Sequence, residues 1–239
     1  MRARVDGTVQ GVGFRPYVFR LAAELGLAGF VGNDERGVVL EVEGPAAAVE
    51  AFLARLPAEA PALAAVESVT VDALEPAGAG DGGFAIVESE RRGPPAALVS
   101  PDTATCGACL AELWDPADRR HRYPFINCTD CGPRFTIVRG VPYDRPLTTM
   151  DGFTMCAACQ AEYDDPRDRR FHAQPNACPD CGPRVALVDA NGGPVGGEAD
   201  PVRAAARSAA ISANGRSSRC LRARSAATAG ASSARQARW

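Results

Sequence analysis

Lysine is absent from this sequence: all 26 basic side chains are arginine. Beside so much alanine, that reads as coding bias rather than mechanism. A dominant charge is also missing. With 29 acidic residues the net charge is only −3, which gives no overall signal for nucleic acid. The amino terminus lacks the apolar stretch of an export signal, because Arg2, Arg4 and Asp6 interrupt it. No run approaches the roughly 18 apolar residues that a membrane helix needs. A cytoplasmic protein without a membrane partner is expected. Nine cysteines would suggest disulfides in an exported chain; here, arranged in Cys-x-x-Cys pairs, they favour metal. Hydrophobic residues make up 46% of the 239, enough for one large domain or two small ones.

What is present is organised around Val9-Gln10-Gly11-Val12-Gly13-Phe14-Arg15-Pro16, set between a short apolar strand and an amphipathic helix. Glycine has no Cβ to block positive φ, so such a turn can expose its N–H groups. At a helix N-terminus those groups form an anion cradle that the helix dipole favours. Arg15 adds a planar fork able to hold two phosphoryl oxygens at once. By itself, Gly-x-Gly before a helix is often no more than a tight turn. Eighteen residues later, however, Gly32-Asn33-Asp34 closes the next strand. The Asn33 side chain carries both a donor and an acceptor, which suits it to aim a water at a bound phosphorus centre. No titratable base accompanies these residues, so the substrate's own phosphate would take the proton.

Periodicity places strands over residues 2–9, 28–33, 38–43, 65–74 and 84–87. A helix over 15–25 puts Val18, Leu21, Ala22 and Leu25 on one face, with Gly26 at its end. Pro45 opens a second helix whose Val49, Phe52, Leu53 and Leu56 face inward. A Gly-rich turn spans 78–83. The order is βαββαβ plus a short final strand, an α+β fold of the ferredoxin-like sandwich type.

The run Gly7-Thr8-Val9-Gln10-Gly11-Val12-Gly13-Phe14-Arg15, followed by Gly29-Phe30-Val31-Gly32-Asn33, resembles the acylphosphatase family over roughly residues 2–90. The resemblance implies that Gln10, Gly11, Val12, Gly13, Phe14 and Arg15 bind the phosphoryl group of an acyl phosphate. It also implies catalytic roles for Arg15 and for Asn33, which would orient the attacking water.

Arg91-Arg92-Gly93-Pro94-Pro95 reads as a linker, and an internal repeat follows it. Cys106-x-x-Cys109 precedes Cys128-x-x-Cys131 by 18 residues, and Cys156-x-x-Cys159 precedes Cys178-x-x-Cys181 by the same 18. Both copies continue with Ala-Glu, Asp-Pro and Arg-Arg, and close on Asp-Cys-Gly-Pro-Arg. Two Cys-x-x-Cys turns fill the four corners of a zinc tetrahedron and leave none for water. Two structural zinc ions are expected, with redox thiols or an iron–sulfur cluster as alternatives. The spacing is compatible with one ion per repeat or with cross-braced pairs. His121 and His172 differ in register by one and are surplus as ligands. Arg119, Arg120, Arg122, Arg167, Arg169 and Arg170, near Tyr123 and Phe171, could suit nucleic acid. Asp115, Asp118, Asp164, Asp165 and Asp168 interleave with them, so a solvated charged face is expected instead.

An acylphosphatase-like domain joined to two such units resembles the amino-terminal part of the carbamoyltransferase family that matures NiFe-hydrogenase, over about residues 2–200. That resemblance implies hydrolysis of carbamoyl phosphate as the first step toward the cyanide ligands of the iron. It also implies a partner, a maturation acceptor protein with a C-terminal cysteine. The alternative is a non-catalytic zinc-binding module that docks a protein or nucleic acid. The family would continue into a nucleotide-binding domain; here the 36 residues after Arg203 are mostly alanine, serine, arginine and glycine, with no acidic residue. Such a segment cannot offset its ordering entropy. A frameshifted or truncated reading frame is expected, without the ATP-dependent and transfer steps. The expected division is therefore 1–90 acylphosphatase-like, 91–104 linker, 105–148 and 149–200 zinc-finger units, and 201–239 a disordered or frameshifted tail.

Overall fold

A computed structural model describes residues 1–75, 83–89, 93–94, 96–189, 191, 193, 201–206 and the backbone of 221–224. Period-two alternation builds its sheet. β1 (Arg2–Thr8) buries Ala3 and Val5, and β3 (Val38–Glu43) buries Val38, Leu40 and Val42, while Arg2 and Glu41 pair on the exposed side. With β2 (Ala28–Asn33), β4 (Ala65–Asp72) and β5 (Phe84–Ile86), the strand order is β4-β1-β3-β2-β5. Every pairing is antiparallel except β2 with β5. Helices α1 (Phe14–Glu24) and α2 (Ala46–Ala58) lay Val18, Leu21, Ala22, Phe52 and Leu56 into one core with Val5, Val31 and Leu40. This is the ferredoxin-like α+β sandwich expected from the pattern, the fold that the resemblance to acylphosphatases also implies. Because β1 and β2 both run antiparallel to β3, the β1–α1 loop and the C-terminal end of β2 lie at the same end of the sheet.

The second half is built on two short helices, α3 (Gly107–Trp114) and α4 (Ala157–Asp164), which begin directly after Cys106 and Cys156. The repeats hold each other through arginine, and here the expected solvated face is corrected. Arg120 and Arg170 are buried, at 1% and 3% exposure. Arg120 reaches Glu162 and the carbonyl of Ala177 in the other repeat; Arg170 reaches Glu112 and the carbonyl of Asn127. Each contact in the first set recurs fifty residues on in the second, with donor and acceptor repeats exchanged. An arginine inside this half is tolerable because its charge is paired and its N–H groups are occupied. Of the six arginines, Arg119, Arg122 and Arg167 do lie at the surface.

The described part of the linker is laid across both halves. Ala96 and Ala97 donate N–H groups to the Glu35 carbonyl at 2.8 and 2.6 Å, Val99 bridges Gln10, and Asp102 accepts the N–H of Phe135 at 2.6 Å. β6 (Arg184–Leu187) pairs antiparallel with β7 (Leu221–Arg224), a strand that falls within the stretch expected to be a structureless tail. The Gly-rich turn except Gly83, the linker residues Arg91, Arg92 and Pro95, and the rest of the tail beyond 206 lie outside the described residues. Among the described residues, no helix is long and apolar enough to cross a membrane.

Candidate active site and metal centres

Val12 and Phe14 anchor the loop by burying their side chains in the first core, at 2% and 1% exposure. The two glycines between and beside them take positive φ, 73° at Gly11 and 75° at Gly13. At Gly11 the absence of a side chain matters twice, because a Cβ there would stand 2.7 Å from the Cβ of Pro133. Gln10 turns inward as a strut. Its Nε2 donates to the carbonyls of Asp34 and Gly37 at 2.8 and 2.9 Å, and its Oε1 accepts the N–H of Tyr143 at 2.9 Å. The loop is thereby tied to the residue that follows Asn33.

Arg15 sits in the first turn of α1 and is 8% exposed. Its Nη2 meets Asp144 Oδ1 at 2.8 Å and the Tyr143 carbonyl at 3.4 Å, while Nη1 lies 3.5 Å from Ser89 Oγ. Asn33 ends β2 at 3% exposure, and neither atom of its amide has a hydrogen-bond partner among the described residues. Next to it, Asp34 takes a bidentate contact from Arg4 and the N–H groups of Arg36 and Gly37. Burial pushes the Asp34 carboxyl up, but the Arg4 guanidinium and those two N–H groups overcome it and hold the group below its ordinary range. The turn after β2 is cross-linked to β1 through these contacts.

Gly11, Gly13 and Arg15 line a cavity of about 30 Å³ whose other wall comes from the second half, including Thr129, Tyr143 and His172. Gln10, Val12 and Asn33 do not line it. Burial, assisted by the charge of Arg15, pushes His172 down to about 4, so its imidazole is neutral at pH 7. The expectation that no titratable group stands near the loop is corrected: Asp144 and His172 both do. Sequence reading named His172 only as a surplus ligand, and it missed Asp144, which lies between the cysteine pairs where no local pattern marks it.

The eight repeat cysteines form two groups, Cys106, Cys109, Cys128, Cys131 and Cys156, Cys159, Cys178, Cys181, so each repeat closes its own cluster. Within each cluster the sulfurs lie within 4.8 Å of one another, with separations as close as 3.6 Å (Cys159–Cys181) and 3.9 Å (Cys128–Cys131), and all eight are free thiols. A tetrahedral ion with metal–sulfur bonds of about 2.3 Å sets its ligands about 3.8 Å apart, so the donor set fits. Hydrogen bonds from Cys109 and Cys128 hold the Cys131 thiol low, while bonds to Cys109 and Cys131 push Cys128 up. Four thiolates this close need a cation between them. Arginine from the opposite repeat supplies part of that charge: Arg169 donates to Cys109 Sγ at 2.8 Å and Arg119 to Cys159 Sγ at 3.3 Å. Neither histidine joins a cluster.

The acylphosphatase family model matches residues 1–86, and the HypF finger model matches residues 105–138 and 155–188. Carbamoyltransferase HypF2 of Cupriavidus necator is 53% identical over 154 residues, which is 64% of this chain and 19% of that protein. The acylphosphatase of Salinibacter ruber is 44% identical over 81 residues, 34% of this chain and 84% of that one. A crystal structure of full-length HypF in a phosphate- and nucleotide-bound form superposes with a TM-score of 0.80 at 45% identity, covering 87% of this chain and 26% of that one. The chain thus spans about a fifth of the length of the curated carbamoyltransferase it matches.

Proposed function

This chain belongs to the acylphosphatase family through residues 1–86 and is homologous beyond them to the amino-terminal part of the HypF carbamoyltransferases, and from that premise we propose that it hydrolyses an acyl phosphate, carbamoyl phosphate foremost. The observation that carries the reading is the Asn33 amide, buried and unpartnered among the described residues, in the residue before Asp34, whose carbonyl Gln10 of the loop holds. A buried polar group left without a partner costs about 1–3 kcal/mol, a cost that a bound water or ligand would relieve.

The substrate is a mixed anhydride with a dianionic phosphate. The backbone N–H groups of residues 11–15 and the Arg15 guanidinium gather the phosphate oxygens, with donors already oriented where charge accumulates. Asn33 holds a water in line with the bond to the acyl oxygen. A bond forms from the water oxygen to phosphorus as that bond breaks. The acyl group leaves as a carboxylate, carbamate in the favoured case, and both water protons stay on the dihydrogen phosphate formed.

Each four-cysteine group holds one structural zinc in this reading, two per chain, and the ions take no part in the hydrolysis. Zinc suits a closed set of four sulfurs without redox demands. The domains divide as 1–90, 91–104, 105–148, 149–200 and 201–239. In the longer carbamoyltransferases the released carbamate would feed transfer to an acceptor protein with a C-terminal cysteine, in hydrogenase maturation. For this chain the proposal is confined to the first step.

Phosphate release from acetyl and carbamoyl phosphate tests it. The unmodified chain should turn both over, and Arg15→Ala should lose about 10²–10³ in rate while keeping its fold. A folded Arg15→Ala chain with near-normal turnover refutes the assignment. A folded unmodified chain that releases no phosphate leaves the binding-module reading.

A further inference from the structure

Among the described residues, the shortest contact of the Arg15 guanidinium is with a carboxylate. Asp144 Oδ1 lies 2.8 Å from Nη2, against 3.4 and 3.5 Å for the Tyr143 carbonyl and Ser89 Oγ. Both side chains are largely withdrawn from water, at 9% and 20% exposure. Asp144 belongs to the finger half, outside residues 1–86 that match the acylphosphatase family. A phosphoryl dianion cannot share that edge of the guanidinium with a carboxylate, since like charges so close repel strongly where water is scarce. Carboxylate and phosphate are therefore alternative occupants of one seat.

The backbone beneath Asp144 is held from both sides. The N–H of Tyr143 is held by Gln10, and a Cβ at Gly11 would lie 3.0 Å from the Tyr143 ring. Arg145 sends Nη1 to the carbonyls of Gln174 and Asn176 at 2.8 and 2.9 Å, and Nη2 to that of Phe153 at 2.6 Å. With its neighbours pinned, Asp144 can leave Arg15 by rotating its own side chain toward the solvent it already touches.

We propose that Asp144 is a built-in competitor for the phosphoryl seat: it occupies Arg15 in the empty site, and an acyl phosphate binds by displacing it. The inference rests on the acyl phosphate site described above and adds its control by the finger half. A site whose competent form is a minor fraction has its apparent affinity lowered by that fraction. Removing the competing charge removes the penalty.

The experiment uses the full chain with Asp144→Asn, and Asp144→Ser in case the first fails to fold. Inorganic phosphate binding and the KM and kcat for acetyl phosphate are measured side by side. Phosphate affinity should rise, and KM should fall, by about tenfold, with kcat not reduced. In the unmodified chain, titration with inorganic phosphate should also shift the ¹³C resonance of the Asp144 carboxyl. Unchanged or weaker phosphate binding in the variants overturns the proposal. A drop in kcat at constant KM also overturns it, since Asp144 would then be positioning Arg15. Tighter phosphate in the variants with no turnover in any form sinks the hydrolase reading and leaves this inference standing.

Discussion

Arg120 clasps both carboxylate oxygens of Glu162, at 2.9 and 2.5 Å, across the boundary between the two finger repeats. Arg119 joins the same carboxylate at 2.7 Å, and Arg170 and Arg169 repeat the arrangement on Glu112. The repeats are thus locked by two charge clusters, beside an apolar cluster in which Tyr123 and Ile126 of the first repeat meet Ala177 of the second.

Breaking one lock should be costly. Replacing Arg120 by methionine leaves Glu162 buried without its main partner, and about 3–5 kcal/mol of stability should disappear. Urea unfolding of the metal-loaded chain measures this. A loss below about 1 kcal/mol would show the pair to be dispensable.

The same carboxylate sets an acid limit. Burial raises the Glu162 pKa, but Arg120 and Arg119 overcome it and bring the group down to about 2. Because the folded value lies below the unfolded one, its stabilisation is complete at neutral pH and fades as pH falls from about 4.5 toward 2. Thiolates also take up protons there, so the informative comparison is with Glu162→Gln. Stability of that variant should depend less steeply on pH in this window.

Asn33→Ala should separate function from stability. The amide has no partner to lose among the described residues, so the folded state should lose less than about 1 kcal/mol or gain slightly. Turnover of acyl phosphate should fall by about 10²–10³. Equal losses of melting temperature and activity would mean that the residue is structural.

Metal content should follow the pairing within repeats. The unmodified chain should carry about two zinc ions, at four ligands per structural site. Cys109→Ser should reduce this to about one and leave the second cluster loaded. Because Arg169 reaches across to Cys109, the melting temperature should fall for the whole finger half and not for one repeat alone. Loss of both ions from the single substitution would indicate a shared site.

Gly11→Ala tests the crowded loop. An alanine at φ 73° costs roughly 1–2 kcal/mol in backbone strain alone. Its Cβ must also push Pro133 aside, so the finger half should loosen from the loop. Hydrogen exchange at residues 10–14 should speed up in the variant; unchanged protection would place the finger contact elsewhere.

The features written in the sequence are those decided by near neighbours in the chain. Alternation at Ala3 and Val5 marks a strand, the spacing of Val18, Leu21 and Ala22 marks a helix, and glycine at 11 and 13 permits a turn that other residues resist. Cysteine pairs with two residues between them announce a metal, and a fifty-residue offset announces a repeat. Only the tertiary structure decided which cysteines share a cluster, why two arginines are buried, and that Asp144 meets Arg15. Each of those depends on groups dozens of residues apart whose pairing is settled by packing and charge balance, and no local pattern encodes where a distant chain segment will lie.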